Sequence, residues 1–400
     1  MAWGKTKVED RRKEFIDACL KGELSMAELC RLFEISRKNG YKWLNRYRNE
    51  GDQSLTDRSR IPLNQALKTK PEIVRQILEV RFRYRTWGPK KVLAWLEANH
   101  PDCSWPSTTT IGNLFDKNGL TIPRNYRRRV PGRTSPLSNC EQSNDIWCAD
   151  FKGWFLTGDG NKCEPFTLTD ADSRFLLRCL KLKNNDTEHV WAVLDNAFRE
   201  YGLPMFLRHD NGPPFATCGV GRLSALSIKL IKSGVTPEWI DPGKPQQNGR
   251  HERMHQTLKN ETAKPPEMTL DEQDMKFKEF VNYYNFIRPH EAINQKTPGS
   301  IYKTSNRIWN GILKSPEYSS EYSVRKVRDN GSIKLRGSEI FIGTALTGEP
   351  VGIIETENNI LKVYYGDIIL GNIDQSKEFK TPQGHKRTKL CKESKGNAKI

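Results

Sequence analysis

Along residues 9–20, EDRRKEFIDACL, apolar side chains recur at Phe15, Ile16, Cys19 and Leu20, the spacing of one helix face. The next stretch, LSMAELCRLFEISRKNGYKWLNRYRNEG, predicts two more helices. Ser25 and Glu28 make a capping-box pattern, Leu24 and Leu29 a hydrophobic staple, and Leu29, Leu32 and Phe33 an apolar stripe. EIS is a tight break, after which Ser36 caps a helix whose Tyr41, Leu44 and Tyr47 are expected to face inward. Arg37, Lys38, Asn39, Lys42 and Arg46 are then left outside. Residues 1–60 therefore read as a helix-turn-helix domain with a basic, polar second helix suited to DNA.

Residues 68–121 repeat the theme. KPEIVRQILEVRFRYR is amphipathic, and Gly88-Pro89 opens the next helix with proline in its first turn. Ser107 caps a third helix with Ile111, Leu114 and Phe115 on one face, and Gly119 stops it. This predicts a second helix-turn-helix, with Thr108, Thr109, Thr110 and Asn113 available to sugar-phosphate or bases. Residues 122–140 are aperiodic, basic and rich in Pro and Ser, and read as a linker lying on phosphate through Arg127, Arg128 and Arg129.

Residues 141–302 alternate between the two periods. DIWCADFKGWF and KCEPFTLTDADSRFLLRCLKL predict three strands, the latter two antiparallel, TEHVWAVLDNAFREYG a helix and LPMFLRHD a strand. GRLSALSIKLIKSG, NGRHERMHQTLKNETA and LDEQDMKFKEFVNYYNFIRPH predict helices, with VTPEWID a short strand and Pro289 ending the last helix. The reading is a mixed sheet with helices on its faces. Residues 310–375 change to short alternating runs with turns at Asn330-Gly331, Gly348 and Asn358-Asn359, which predicts a small all-β barrel. The Lys-rich, apolar-poor tail at 376–400 is expected to be disordered.

Charge sharpens this division. The formal net charge is +17, but residues 1–140 carry 28 Lys/Arg against 15 Asp/Glu, residues 141–300 carry 20 against 22, and residues 301–400 carry 17 against 11. Two basic ends flank a near-neutral middle, the expected layout of polyanion-binding ends around a separate central module. The nine Cys include no C-x-x-C pair, which argues against a zinc ribbon, and their odd number points to reduced thiols in a cytoplasmic setting. MAWGKTKVEDRR has no apolar core, so no signal peptide is expected, and no run of about 18 apolar residues suggests a membrane span. Gly4-Lys5-Thr6 lacks the rest of a phosphate loop.

Three acids in the middle module stand where elements begin or end. Asp150 follows an apolar strand in WCADFKG, Asp210 ends the strand in RHDNGPPF, and Glu252 lies in the first turn of a helix in KPQQNGRHERMHQTLK. Magnesium takes hard oxygen ligands, and two such ions can clamp the attacking and leaving oxygens of a phosphoryl displacement. Neighbouring strand ends and one helix can converge three carboxylates on such a pair, with Asp150 bridging, Asp210 on one ion and Glu252 on the other. Asp170, Asp172 and Asp241 are rival acids for which turn roles suffice. Asn248, His255 and Lys259 share the helix face of Glu252. His255 either orients substrate or packs.

WCADFKG, HDNGPPF and PQQNGRHERMHQTLK, followed by NYYNFIRPHEAINQKTPGSIY, resemble the three acidic motifs of DDE transposases of bacterial insertion sequences with a retroviral-integrase-type catalytic core. The resemblance covers residues 141–302 well and the two helix-turn-helix units more loosely. It implies a ribonuclease H-like fold and two Mg²⁺ ions, with Mn²⁺ able to substitute. The implied chemistry is 3′-end cleavage and strand transfer of DNA. Double-stranded DNA, as terminal inverted repeats and target, and further copies of the chain in a synaptic complex are the implied partners. Lys259 resembles the position that meets phosphate at the element end. Two departures stand out: the gap from Asp210 to Glu252 is longer than usual, and there is no N-terminal His/Cys zinc module of the retroviral kind.

Overall fold

A computed structural model describes residues 8–58, 69–121, 138–217, 219–241, 249–356, 360–373 and 379–380. The chain divides into two compact units, Met1–Thr69 and Lys70–Ile400.

The first unit is three helices, α1 (Val8–Lys21), α2 (Met26–Leu32) and α3 (Arg37–Glu50), closed by a 3₁₀ turn at Gly51–Leu55. Ser25 forms the expected capping box with Glu28, and Ser36 accepts from the Asn39 N–H. The phase of α3 differs from the sequence expectation. Gly40, Trp43 and Leu44 are buried, whereas Tyr41 is exposed. The cause is the helix crossing at Gly40, where an added Cβ would stand 2.6 Å from Cys30 Sγ. That close approach turns Trp43 inward and Tyr41 out. Leu20 and Leu32 are exposed as well, and Cys30 fills the expected place of Leu32 in the core. The Arg12 guanidinium lies 3.9 Å over the Trp43 ring and donates to the Leu55 carbonyl.

The second unit opens with α4 (Pro71–Arg83), α5 (Pro89–Asn99) and α6 (Thr108–Lys117), packed around Ile77, Trp87, Val92, Leu96, Ile111 and Phe115. Pro89 stands in the first turn of α5, Ser107 caps α6, and Gly119 takes φ +66° just beyond it.

The central sheet has the order β5-β4-β1-β6-β7. Its strands are β1 (Ile146–Phe151), β4 (Pro165–Asp170), β5 (Leu176–Lys181), β6 (Phe206–His209) and β7 (Thr236–Trp239); a small hairpin, β2 (Phe155–Leu156) and β3 (Lys162–Cys163), follows β1. β4 runs antiparallel to β1 and β5, while β1, β6 and β7 are parallel. This is a ribonuclease H-like core. Strand alternation divides its faces. Trp147, Ala149, Phe166, Leu168 and Leu207 pack against α7 (Thr187–Tyr201) and α8 (Ala225–Lys232). The opposite face is covered by α9 (Gly249–Thr262) and α10 (Leu270–Asn282), whose Met254, Leu258, Phe277 and Phe280 cluster with Cys163, Leu176 and Cys179.

A π-helical turn, Tyr283–Ile287, continues α10 and docks the α4–α6 domain. Trp87 donates to Tyr283 Oη at 2.6 Å and stacks on Tyr84. Thr86 donates to Glu261 of α9 at 2.6 Å, and Lys90 pairs with Glu291.

The C-terminal strands are β8 (Ser323–Lys326), β9 (Ser332–Leu335), β10 (Ser338–Phe341), β11 (Pro350–Glu355), β12 (Leu361–Tyr365), β13 (Ile368–Ile373) and β14 (Phe379–Lys380). They form an open antiparallel sheet, β14-β13-β12-β11-β8, beside a β9–β10 ribbon. The expected barrel is not closed among the described residues. The apolar edge side chains bury elsewhere: Leu223 and Ile228 of the central module join Val351, Val363 and Leu370 in one core. Gly331 and Gly348 make the predicted turns at positive φ. Asn358-Asn359, most of the 122–140 linker and the 381–400 tail lie outside the described residues.

Candidate active site

The acids come together through strand register. Cys148 on β1 is level with Arg208 on the parallel β6, so two residues further along, Asp150 and Asp210 leave adjacent strand ends on the same face. Directly opposite Asp150 on β4 is Thr167. Asp210 is fixed by its own turn, accepting from the Gly212 N–H at 3.1 Å. A Cβ at residue 212 would stand 3.1 Å from that carboxylate, so the glycine gives it room.

Glu252 enters from above, exposed in the first turn of α9. Burial raises the Asp150 carboxyl to about 7, helped by the negative charges of Asp210 and Glu252. Burial also raises Asp210. Asp150 thus senses the charges of both other acids at the sheet edge while partly withdrawn from water.

Beneath them lies a polar layer. Thr167 Oγ1 is 3.0 Å from the Asp150 carbonyl and 2.7 Å from Nε2 of both His251 and His255. Thr169 Oγ1 meets His251 Nδ1 at 2.9 Å. His255 Nδ1 is 3.9 Å from Asp150 Oδ2. Burial pulls the His251 imidazole down to about 3 and holds His255 far below its usual range, so both rings are neutral. Asp150, His251 and His255 are close enough to suggest a metal trio. The threonine hydroxyls already occupy both nitrogens of His251 and one of His255, which argues against a nitrogen-rich site. The carboxylates of Asp150, Asp210 and Glu252 instead offer hard oxygen donors that fit a magnesium-like cation.

Lys259 is exposed two turns along α9. Its charge, after burial, lowers the ammonium of Lys152, two residues past Asp150, which puts both lysines beside the acids. Of the rival acids, Asp170 is buried in its turn and accepts from the N–H groups of Asn144 and Ser173 and from the Ser173 hydroxyl, a structural role. His255, with 6% exposure, is spent on Thr167 and faces away from solvent. In the first unit Arg37, Lys38, Asn39 and Lys42 are exposed on α3, while Arg46 lies 4.8 Å over Trp43. Thr109 is exposed on α6. Asn248 and Arg127, Arg128 and Arg129 lie outside the described residues. Sequence reading missed Thr167, His251 and Lys152. The only signal for the first two was the His251/His255 pair at i,i+4, which means little until the helix is known to cross β4.

Several segments of the chain match known families. Residues 141–245 and 233–298 match integrase core domain families, residues 11–62 a helix-turn-helix domain, and residues 39–115 a homeodomain-like domain. Residues 322–381 match the C-terminal domain of IS481 family transposases. The chain is similar to the insertion element IS407 uncharacterized 31.7 kDa protein of Burkholderia multivorans, 25% identical over 233 residues, covering 56% of this chain and 79% of that one. It is also similar to the insertion element IS476 uncharacterized 39.2 kDa protein of Xanthomonas euvesicatoria, 23% identical over 301 residues, covering 74% and 78%. Among solved structures, the HTLV-2 integrase catalytic core domain in complex with magnesium matches at TM-score 0.32 and 18% identity, covering 40% of this chain and 97% of that one. The simian T-cell lymphotropic virus intasome matches at TM-score 0.35 and 13% identity, covering 77% and 100%.

Proposed function

We propose that this chain, whose segments match integrase cores and the C-terminal domain of IS481 family transposases and which is similar to proteins of insertion elements, is an insertion-sequence transposase that cuts the ends of a mobile DNA element and joins them to target DNA. In the first step water attacks the scissile phosphorus and the P–O3′ bond breaks, leaving a 3′-OH on the element. That hydroxyl then attacks a target phosphodiester: a new P–O3′ bond joins element to target as the target's own P–O3′ bond breaks, leaving a 3′-OH on the flanking target strand. The observation that carries the reading is the placement of Asp150 and Asp210 at the ends of adjacent parallel strands, with Glu252 near enough for its charge to act on Asp150.

Asp150, Asp210 and Glu252 would hold two Mg²⁺ ions, or Mn²⁺ in their place. Bound cations supply Lewis-acid charge at the phosphate and a more acidic water. Lys152 and Lys259 neutralise the phosphate from the flank. The neutral imidazoles below add no positive charge to compete with a cation. The helix-turn-helix domains read the terminal repeats, and several copies of the chain pair two ends in a synapse.

Duplex DNA carrying the ends of this chain's own element should be nicked at its 3′ ends by the full chain with Mg²⁺ or Mn²⁺, and not with EDTA. Protein that binds those ends yet never cuts them would make the chain a DNA-binding regulator instead. A second expectation concerns α3. Each Lys that meets phosphate contributes about 0.9 to the slope of log K against log salt. Lys38→Ala with Lys42→Ala should therefore flatten that slope by about 2 in a filter-binding series; an unchanged slope would remove these lysines from the interface.

A further inference from the structure

We propose that Thr167, His251 and His255 form a clamp that positions Glu252 and Asp150 for cation binding, so that Thr167 is a positioning residue of the active site. The inference rests on the reading of Asp150, Asp210 and Glu252 as cation ligands.

Thr167 Oγ1 has a single proton and two acceptor sites. Its neighbours are the Asp150 carbonyl at 3.0 Å and two imidazole Nε2 atoms at 2.7 Å each. A carbonyl only accepts, so the Thr167 proton goes to Asp150, and both imidazoles donate Nε2–H to Thr167. Every site on that hydroxyl is then filled, and both tautomers are fixed. His251 Nδ1 is left as an acceptor, and the Thr169 hydroxyl fills it at 2.9 Å. His255 Nδ1 remains a lone pair turned toward Asp150 Oδ2.

This places two anchors on the first turns of α9, both nearly fully buried. Glu252 lies between them, one residue after His251 and three before His255. Helix geometry lets His251 and His255 share one face while Glu252 projects about 100° away from His251, toward the strand ends. The anchors therefore set both the rotation of α9 and its height above β4. The same hydroxyl grips the Asp150 backbone, so one side chain ties two of the three acids together. Remove it, and two buried imidazole N–H groups lose their acceptor. Such groups are costly to leave unmade, so α9 would turn to find water and carry Glu252 with it.

The test is Mn²⁺ binding by the full chain without DNA, followed by the spin resonance of free Mn²⁺, alongside end cleavage. Thr167→Val keeps the branched shape and removes the hydroxyl. Its half-saturating Mn²⁺ should rise by about 10- to 100-fold, as expected for a partner behind the ligands, and cleavage should fall in step. Thr167→Ser should restore both, and all variants should bind the element ends like wild type. If Thr167→Val folds poorly, Thr169→Val removes only the outer bond to His251 and should give a smaller rise in the same direction. Wild-type Mn²⁺ affinity in both valine variants would overturn the clamp. A wild-type chain whose Mn²⁺ binding is untouched by Asp150→Asn would instead overturn the assignment of the acids.

Discussion

Asp210→Asn should reduce metal-dependent 3′-end cutting by about 10³-fold or more while leaving end binding unchanged. The magnitude follows from losing one cation ligand, because metal charge at the transferring phosphate is worth several kcal/mol and each 1.36 kcal/mol is tenfold in rate. Binding should survive because α3 and α6 stand on helical domains with their own cores. Stability should survive too. Burial already disfavours the charged form of Asp210, and an Asn oxygen can still accept from Gly212. In EDTA the melting temperature of the variant should therefore equal or exceed that of wild type. Mg²⁺ should raise the wild-type value, since a ligand that binds the folded state stabilises it, and should raise the variant's less. Cutting by Asp210→Asn at the wild-type rate would remove Asp210 from the site, and loss of end binding would show that the substitution acts through folding.

The second large effect is on the α4–α6 domain. Trp87 is fully buried, stacks on Tyr84 with ring centres 4.0 Å apart, and donates to Tyr283 across the junction with the catalytic module. Trp87→Ala removes a large core side chain and should destabilise this domain by about 3–5 kcal/mol. It also takes one donor from the Tyr283 hydroxyl, which still accepts from Arg288 and donates to Glu261. In a urea titration followed by hydrogen exchange, amides of residues 71–117 should lose protection at lower denaturant than those of β1, β4 and β6. Trp87→Phe, which keeps the stack and loses the donor, should fall between. Uniform protection across the chain would mean that the domain does not depend on this junction.

Much of this was readable from the chain. Asp150, Asp210 and Glu252 stand at element boundaries marked by Gly and Pro, and period-two alternation was enough to predict β1, β4, β5 and β6. Local patterns failed where the answer depended on a partner. Tyr41 and Trp43 both suit a helix face, and only the close crossing at Gly40 chooses between them. Alternating runs gave the C-terminal strands, yet whether a sheet closes depends on what covers its edge, here Leu223 and Ile228 from another module. Thr167 looked like any strand threonine, because its role arises only when β4 pairs with β1 and α9 lies over both.

The contact between Thr86 and Glu261 has one further meaning. Glu261 is nine residues from Glu252 on the same helix, a span of about 13 Å at 1.5 Å per residue. In the proposed function the helix would join a module that reads sequence to a carboxylate that cuts, and a helix does not stretch. On DNA that span is worth about four base pairs. On that reading α9 would act as a ruler: the offset between the bases read and the bond broken would be written in protein, and an element end with one base pair inserted between them would present the wrong phosphate.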